Sequence, residues 1–253
     1  MRKKRRRRQD AVWSFCRCRG GHVLAQNMDL PGHMDGSQVA LRLSGPDIPD
    51  TVVLSAAELI GLTGANAAGV AVGVNTLLML NHGAGGLPVA FAPRHALAAR
   101  DADGARNRLA ATRHASGQHY AIATRQRVLS VECSAGGCAD LSLPDTGRLL
   151  HTNHPLASRD IAADAQTRLD RAGFTGSSHR RLDWLADAEP GLRTARDVKV
   201  MLDNADAPLC LRAARNGDSQ TFASVLYEMT DAPHLSMRAG PAGQGAWAGF
   251  ELG

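Results

Sequence analysis

Strand-like and helix-like segments arrive in blocks along this chain, and that order limits its fold more than any other feature. Residues 12–17 and 23–27 carry β-type side chains on either side of Gly20-Gly21 and predict a hairpin. Residues 38–43 alternate apolar and polar and predict a third strand, and 51–54, 59–62 and 69–75 continue the pattern, with the stretch 64–69 as a turn. Helices are expected over about 93–100 and 103–113, then strands over 119–124, 128–133 and 149–152. Apolar positions recur at three and four through 160–204, which predicts a helical block in three pieces with Leu169, Trp184, Leu185, Val198, Met201 and Leu202 facing inward. Three more strands, 221–227, 234–238 and 246–252, close the chain. Strand blocks separated by helix blocks, without a strict βαβ rhythm, point to an α+β fold with large antiparallel sheets.

Charge separates one end of the chain from the rest. Of 29 Lys and Arg, seven form the run Arg2–Arg8; the other 22 face 24 Asp and Glu, so the body is mildly acidic. A basic run of this kind attracts phosphate. Neither stacking aromatics nor a groove-reading helix accompanies it, so a nucleic-acid partner is not expected. Residues 1–10 are read as a disordered basic tail and 11–253 as one domain. No apolar run approaches the roughly 18 residues of a membrane helix, and no apolar segment follows the basic start as a signal peptide requires. The expectation is a cytoplasmic protein without a membrane partner. The five cysteines, Cys16, Cys18, Cys133, Cys138 and Cys210, are odd in number and scattered, which argues against a disulfide framework. Their spacings do not match a structural zinc site either.

Three ordered segments carry a resemblance: Gln26-Asn27-Met28-Asp29, then LTGANAAGVAVGVNTL (62–77), then HTNHPL (151–156). Together with SQTFASVLYEMT (219–230), they resemble the isopenicillin N acyltransferase family of autoproteolytic cysteine enzymes with the N-terminal-nucleophile hydrolase fold. The resemblance runs from about residue 14 to the C-terminus. It implies a four-layer αββα sandwich and amide chemistry: acyl transfer to or from an amine, or hydrolysis of a linear amide, through a cysteine thioester. The partners it implies are a small-molecule amide or acyl donor, with no cofactor and with acyl-CoA as a candidate substrate. In such enzymes a freed α-amino group, with a reference pKa near about 8, accepts the proton of the attacking thiol.

By the same resemblance, Asn153 in HTNHPL is the oxyanion-stabilising asparagine. Asp29 is the acidic residue beside the nucleophile and its amine, and Asn75 is a second asparagine beside the oxyanion. His151 and His154 are read as packing or hydrogen-bonding residues. The nucleophile itself breaks the pattern. Family members read Cys-Thr-Ser-Phe or similar; Ser14-Phe15 matches the last two, which puts Val12 where the cysteine belongs and Trp13 where the threonine belongs. Cys16 is the nearest substitute sulfur. It lies four strand residues further on, about 13 Å along the strand, too far for the same oxyanion donors. The family's helical pro-region is not seen ahead of it. The chain thus reads as a truncated or frame-shifted product, or as a degenerate, ligand-binding paralogue.

Overall fold

Gly20, at φ +90°, turns the chain between β1 (Val12–Cys18) and β2 (Gly21–Pro31), which pair from Cys18 opposite Gly21 to Val12 opposite Asn27. The computed structural model describes residues 12–18 by their backbone only, and residues 20–144, 147–213 and 218–252 in full. The basic run Arg2–Arg8 and the side chains of Val12 and Cys16 lie outside the described residues. The other edge of β2 pairs with β11 (Ser219–Met229), followed by β12 (His234–Ala239) and β13 (Trp247–Glu251). A two-residue strand, β10 (Leu150–His151), lies on the far side of β1 and completes a six-stranded antiparallel sheet.

The two glycines of the first turn do different work. A Cβ on Gly20 would meet nothing within 4 Å, so alanine there costs only the strain of a positive φ. A Cβ on Gly21 would stand 2.0 Å from the Met229 carbonyl oxygen, so alanine must push β2 and β11 apart. Gly21→Ala is therefore expected to cost about 2–3 kcal/mol, and Gly20→Ala about 1 kcal/mol. Urea melts of the two variants check the order, and equal midpoints would refute it.

The second sheet is a seven-stranded meander in chain order. Its members are β3 (Gln38–Gly45), β4 (Ile48–Ala56), β5 (Thr63–Asn66), β6 (Ala71–Thr76), β7 (Gln118–Ala123), β8 (Val128–Ser134) and β9 (Gly137–Asp140). Two expectations fail here. Residues 59–62 are not a strand, and the strand begins instead at Thr63, within the stretch expected to turn. Asn66 explains the shift. It looks like a turn residue, yet its side chain bonds the carbonyls of Leu97 and Ala99 and accepts from Val70 N. Those buried bonds hold it in the ladder, and the turn falls to 67–69, where Gly69 takes φ +83°. The second failure is β9, which no apolar alternation announces. Cys133 and Cys138 stand opposite each other across the β8–β9 hairpin and form a disulfide. A cysteine count cannot foresee this pairing, because hairpin register creates it.

The sheets face each other. Leu24, Gln26 and Met28 alternate along β2 toward the second sheet, where Gln26 Nε2 donates to Val74 O at 2.7 Å. Tyr227 on β11, opposite Leu24, meets Thr63 Oγ1 at 2.7 Å across the same gap. Val23 and Ala25 point the other way and pack with Leu185, Val198, Met201 and Leu202. These last four belong to α4 (Phe174–Ala188) and α5 (Ala195–Asp203), which follow α3 (Ala165–Arg171). A capping box, Thr194 with Asp197, starts α5, and its buried residues recur at three and four. On the outer face of the second sheet lie α1 (Ala92–Leu97) and α2 (Ala102–Ala110), whose small side chains Ala92, Ala96, Ala102 and Ala105 allow close approach. The architecture is thus the four-layer αββα sandwich. No helix among the described residues is long and apolar enough to cross a membrane.

Candidate active site

Two of the expected site residues meet where β1 begins. β10 places His151 opposite Trp13, so the chain leaves the ladder as Thr152-Asn153 at the end of the sheet where β1 starts. In the other sheet β6 ends on Asn75-Thr76. The two ends are tied reciprocally. Asn75 Nδ2 donates to Thr152 O at 3.0 Å, and Asn153 Nδ2 donates to Thr76 O at 3.1 Å. Both asparagines are fully buried, and Asn75 Oδ1 has no hydrogen-bond partner among the described residues.

Helix α4 closes the site from outside. Ser178 and Arg181, one turn apart, share its buried face with Leu185. Ser178 Oγ accepts from Asn153 N at 2.8 Å, and Arg181 Nη2 donates to Asn153 Oδ1 at 3.0 Å. Thr152 Oγ1 donates to Ser178 O at 3.0 Å, and His154 Nδ1 lies 2.8 Å from Ser178 Oγ.

A buried carboxylate braces the segment around Asn153. Glu132, on β8, lies 2.8 Å from His151 Nε2 and accepts from the amides of Leu156 (2.6 Å), Ala157 (3.1 Å) and Ser158 (2.7 Å). Burial alone pushes this carboxyl up. The hydrogen bond and charge of His151, with the Leu156 and Ser158 amides, outweigh burial and leave it below the usual carboxylate range. His151 also stacks on His119 at 3.7 Å between ring centroids, and His119 Nε2 lies 2.7 Å from Ser130 Oγ. Burial, then the nearby His151, holds His119 well below the ordinary histidine value. His154 is depressed to about 4, by burial first and then by the charges of His179, His151 and Arg181.

Asn75 and Asn153 are therefore brought together, while strand register places Asp29 on β2 and Cys16 within β1. Asp29 is buried on β2, opposite Thr221 and two residues beyond Asn27, the partner of Val12. Strand alternation puts it on the helix-facing side with Asn27, whose Nδ2 donates to Leu209 O. The Cys16 backbone pairs with Val23, four positions into β1 from Val12, and β10 pairs with β1 only at Trp13 and Ser14. For metals, His114, Cys133 and Cys138 form a three-donor group within 4.8 Å. There the two sulfurs are bonded to each other, and the His114 nitrogens meet Leu109 O and Tyr120 OH.

Sequence reasoning missed Arg181 and Glu132. Arg181 was legible in part. It falls in helical phase with Leu185 and Phe174, and a basic residue on an apolar face calls for a buried acceptor. Glu132, within an apolar strand, gave a similar hint, but its partners come from 19 to 26 residues away.

Comparison with known proteins gives a consistent answer. The profile of a family described as acyl-coenzyme A:6-aminopenicillanic acid acyl-transferase matches residues 16–238. The 40 kDa form of acyl-coenzyme A:6-aminopenicillanic-acid-acyltransferase from Emericella nidulans is 26% identical over 218 residues. The match takes in 85% of this chain and 60% of that protein, so the chain spans less than two thirds of its relative. Among solved structures, penicillin V acylase from Agrobacterium tumefaciens superposes with a TM-score of 0.56 at 12% identity, over 96% of this chain and 86% of that one. A mutant form of conjugated bile acid hydrolase from Clostridium perfringens gives 0.60 at 10% identity, over 96% and 92%. At such identities these likenesses concern the fold.

Proposed function

Since this chain belongs to the acyl-coenzyme A:6-aminopenicillanic acid acyl-transferase family, we propose that its site is built for acyl transfer to or from an amine, or for hydrolysis of a linear amide, through a thioester. The observation that carries this is the pair Asn75 and Asn153, buried and cross-tied at the start of β1. A side-chain amide held there donates to the oxyanion that forms when a carbonyl is attacked, an interaction worth about 3–4 kcal/mol of barrier. Asp29, on β2 near the partner of Val12, is assigned the holding of an α-ammonium beside the nucleophile. The substrate is a small-molecule amide or acyl donor, acyl-CoA among them. A cytoplasmic location remains part of the reading, to be tested by cell fractionation.

A second reading has its own observation. Val12 stands opposite Asn27 at the head of β1, and Cys16 is four positions further on. Valine has no attacking atom, so the chain as it stands is a ligand-binding form of the scaffold, its nucleophile lost. One experiment separates the readings. The protein, the Cys16→Ala variant, and a chain starting at residue 12 with Val12→Cys and Trp13→Thr are incubated with an activated acyl thioester and weighed intact. Only the third is expected to gain an acyl adduct labile to hydroxylamine. Acylation of the unaltered protein, abolished in Cys16→Ala, would instead make Cys16 the nucleophile and overturn the loss.

A further inference from the structure

We infer that Arg181 is a positioning residue for Asn153: its guanidinium fixes which end of that amide faces the reacting carbonyl and strengthens the amide N–H as a donor. The inference rests on the acyl-transfer reading above. An asparagine amide has two ends of similar size and opposite polarity. Only the nitrogen end favours an oxyanion; the oxygen end would repel it.

Two contacts decide the orientation. A guanidinium only donates, so the atom 3.0 Å from Arg181 Nη2 is Oδ1. A peptide carbonyl only accepts, so the atom 3.1 Å from Thr76 O is Nδ2. A flipped amide would set nitrogen against a donor and oxygen against an acceptor, losing both bonds. The orientation is therefore locked, and Arg181 is the charged half of the lock.

The lock is rigid because α4 holds it twice. Ser178, three residues before Arg181, receives the backbone N–H of Asn153, so one helix face grips main chain and side chain together. Arg181 is 2% exposed, so water does not screen its charge from the amide. A cation donating to an amide oxygen draws electron density from the nitrogen, and hydrogen bonds in such a chain strengthen one another. The Asn153 N–H is thereby a stronger donor than that of an asparagine bonded to a neutral group.

The test has two arms, one of which needs no turnover. Asparagine side chains of the full chain are labelled with 15N, and the Asn153 NH2 pair is assigned by its loss in Asn153→Ser. In Arg181→Met the pair is expected to move upfield and to exchange with water about tenfold faster. In Arg181→Lys, which restores a donor, it returns part of the way. An Asn153 pair unmoved in both variants, with the remaining asparagine signals in place to report a native fold, overturns the inference.

The second arm uses the chain with Val12→Cys and Trp13→Thr. Adding Arg181→Met is expected to lower the acylation rate about 100-fold and to leave KM within about threefold, with partial recovery in Arg181→Lys. A loss seen in KM alone refutes the polarising role. If that chain does not acylate at all, the acyl-transfer reading has failed, while the amide signals still decide whether Arg181 orients Asn153.

Discussion

Glu132→Ala is expected to lower the melting temperature by roughly 10–15 °C, a larger fall than either glycine variant of the first turn should cause. The carboxylate is fully buried and serves four donors: the ring of His151 and three consecutive amides, Leu156 to Ser158. Alanine leaves those groups without their acceptor in a place water does not reach. Orphaning partners of this kind costs about 3–5 kcal/mol when a charge is involved. Glu132→Gln keeps the shape and one acceptor but turns an NH2 toward an N–H or an imidazole, so about half the loss is expected. Calorimetry reads both. Hydrogen exchange should show the 156–158 amides opening first in either variant, because these are the bonds removed. A melting temperature within about 2 °C of the unaltered protein would show that the brace bears little.

Acid is expected to destabilise the protein well above the pH at which ordinary carboxylates titrate. Burial depresses His114, His119 and His154, the last to about 4, so the folded state keeps these rings neutral. In the unfolded chain they protonate near about 6.5. A depressed folded value means that unfolding takes up protons as pH falls through this window. The stability these rings contribute is whole above about 6.5 and drains as pH falls below it, for His154 down to about 4. Glu132, also depressed, adds its loss only below its unfolded value near 4.5. Near pH 5.5 unfolding should therefore take up roughly two protons from the histidines. The melting temperature should fall by roughly 10 °C between pH 7 and pH 5. Melts in buffers of different ionisation enthalpy measure the proton count. A melting temperature flat from pH 7 to pH 5 would mean that these rings titrate as they do in water.

Much of the fold was legible because it follows from local periodicity. The hairpin at Gly20-Gly21, the three pieces of the 160–204 block and the closing strands all fall where alternation and helical phase put them. Where side-chain chemistry at a distance decided, reading failed. Asn66 became a strand residue through bonds to Leu97 and Ala99, more than 30 residues away. β9 pairs with β8 across a hairpin that sets Cys138 opposite Cys133, a register no local alternation announces.

The same division runs through the site. The resemblance carried by three short segments nominated Asn153, Asn75 and Asp29, and set a valine where a sulfur belongs, since the atoms a side chain carries do not depend on folding. Only the tertiary structure joined Asn75 to Asn153 and left Asp29 on the opposite face of β2 from Gln26. It alone recruited Arg181 and Glu132. Those roles rest on contacts of about 3 Å between segments far apart in the chain, and no local pattern encodes which distant donor will meet which buried acceptor.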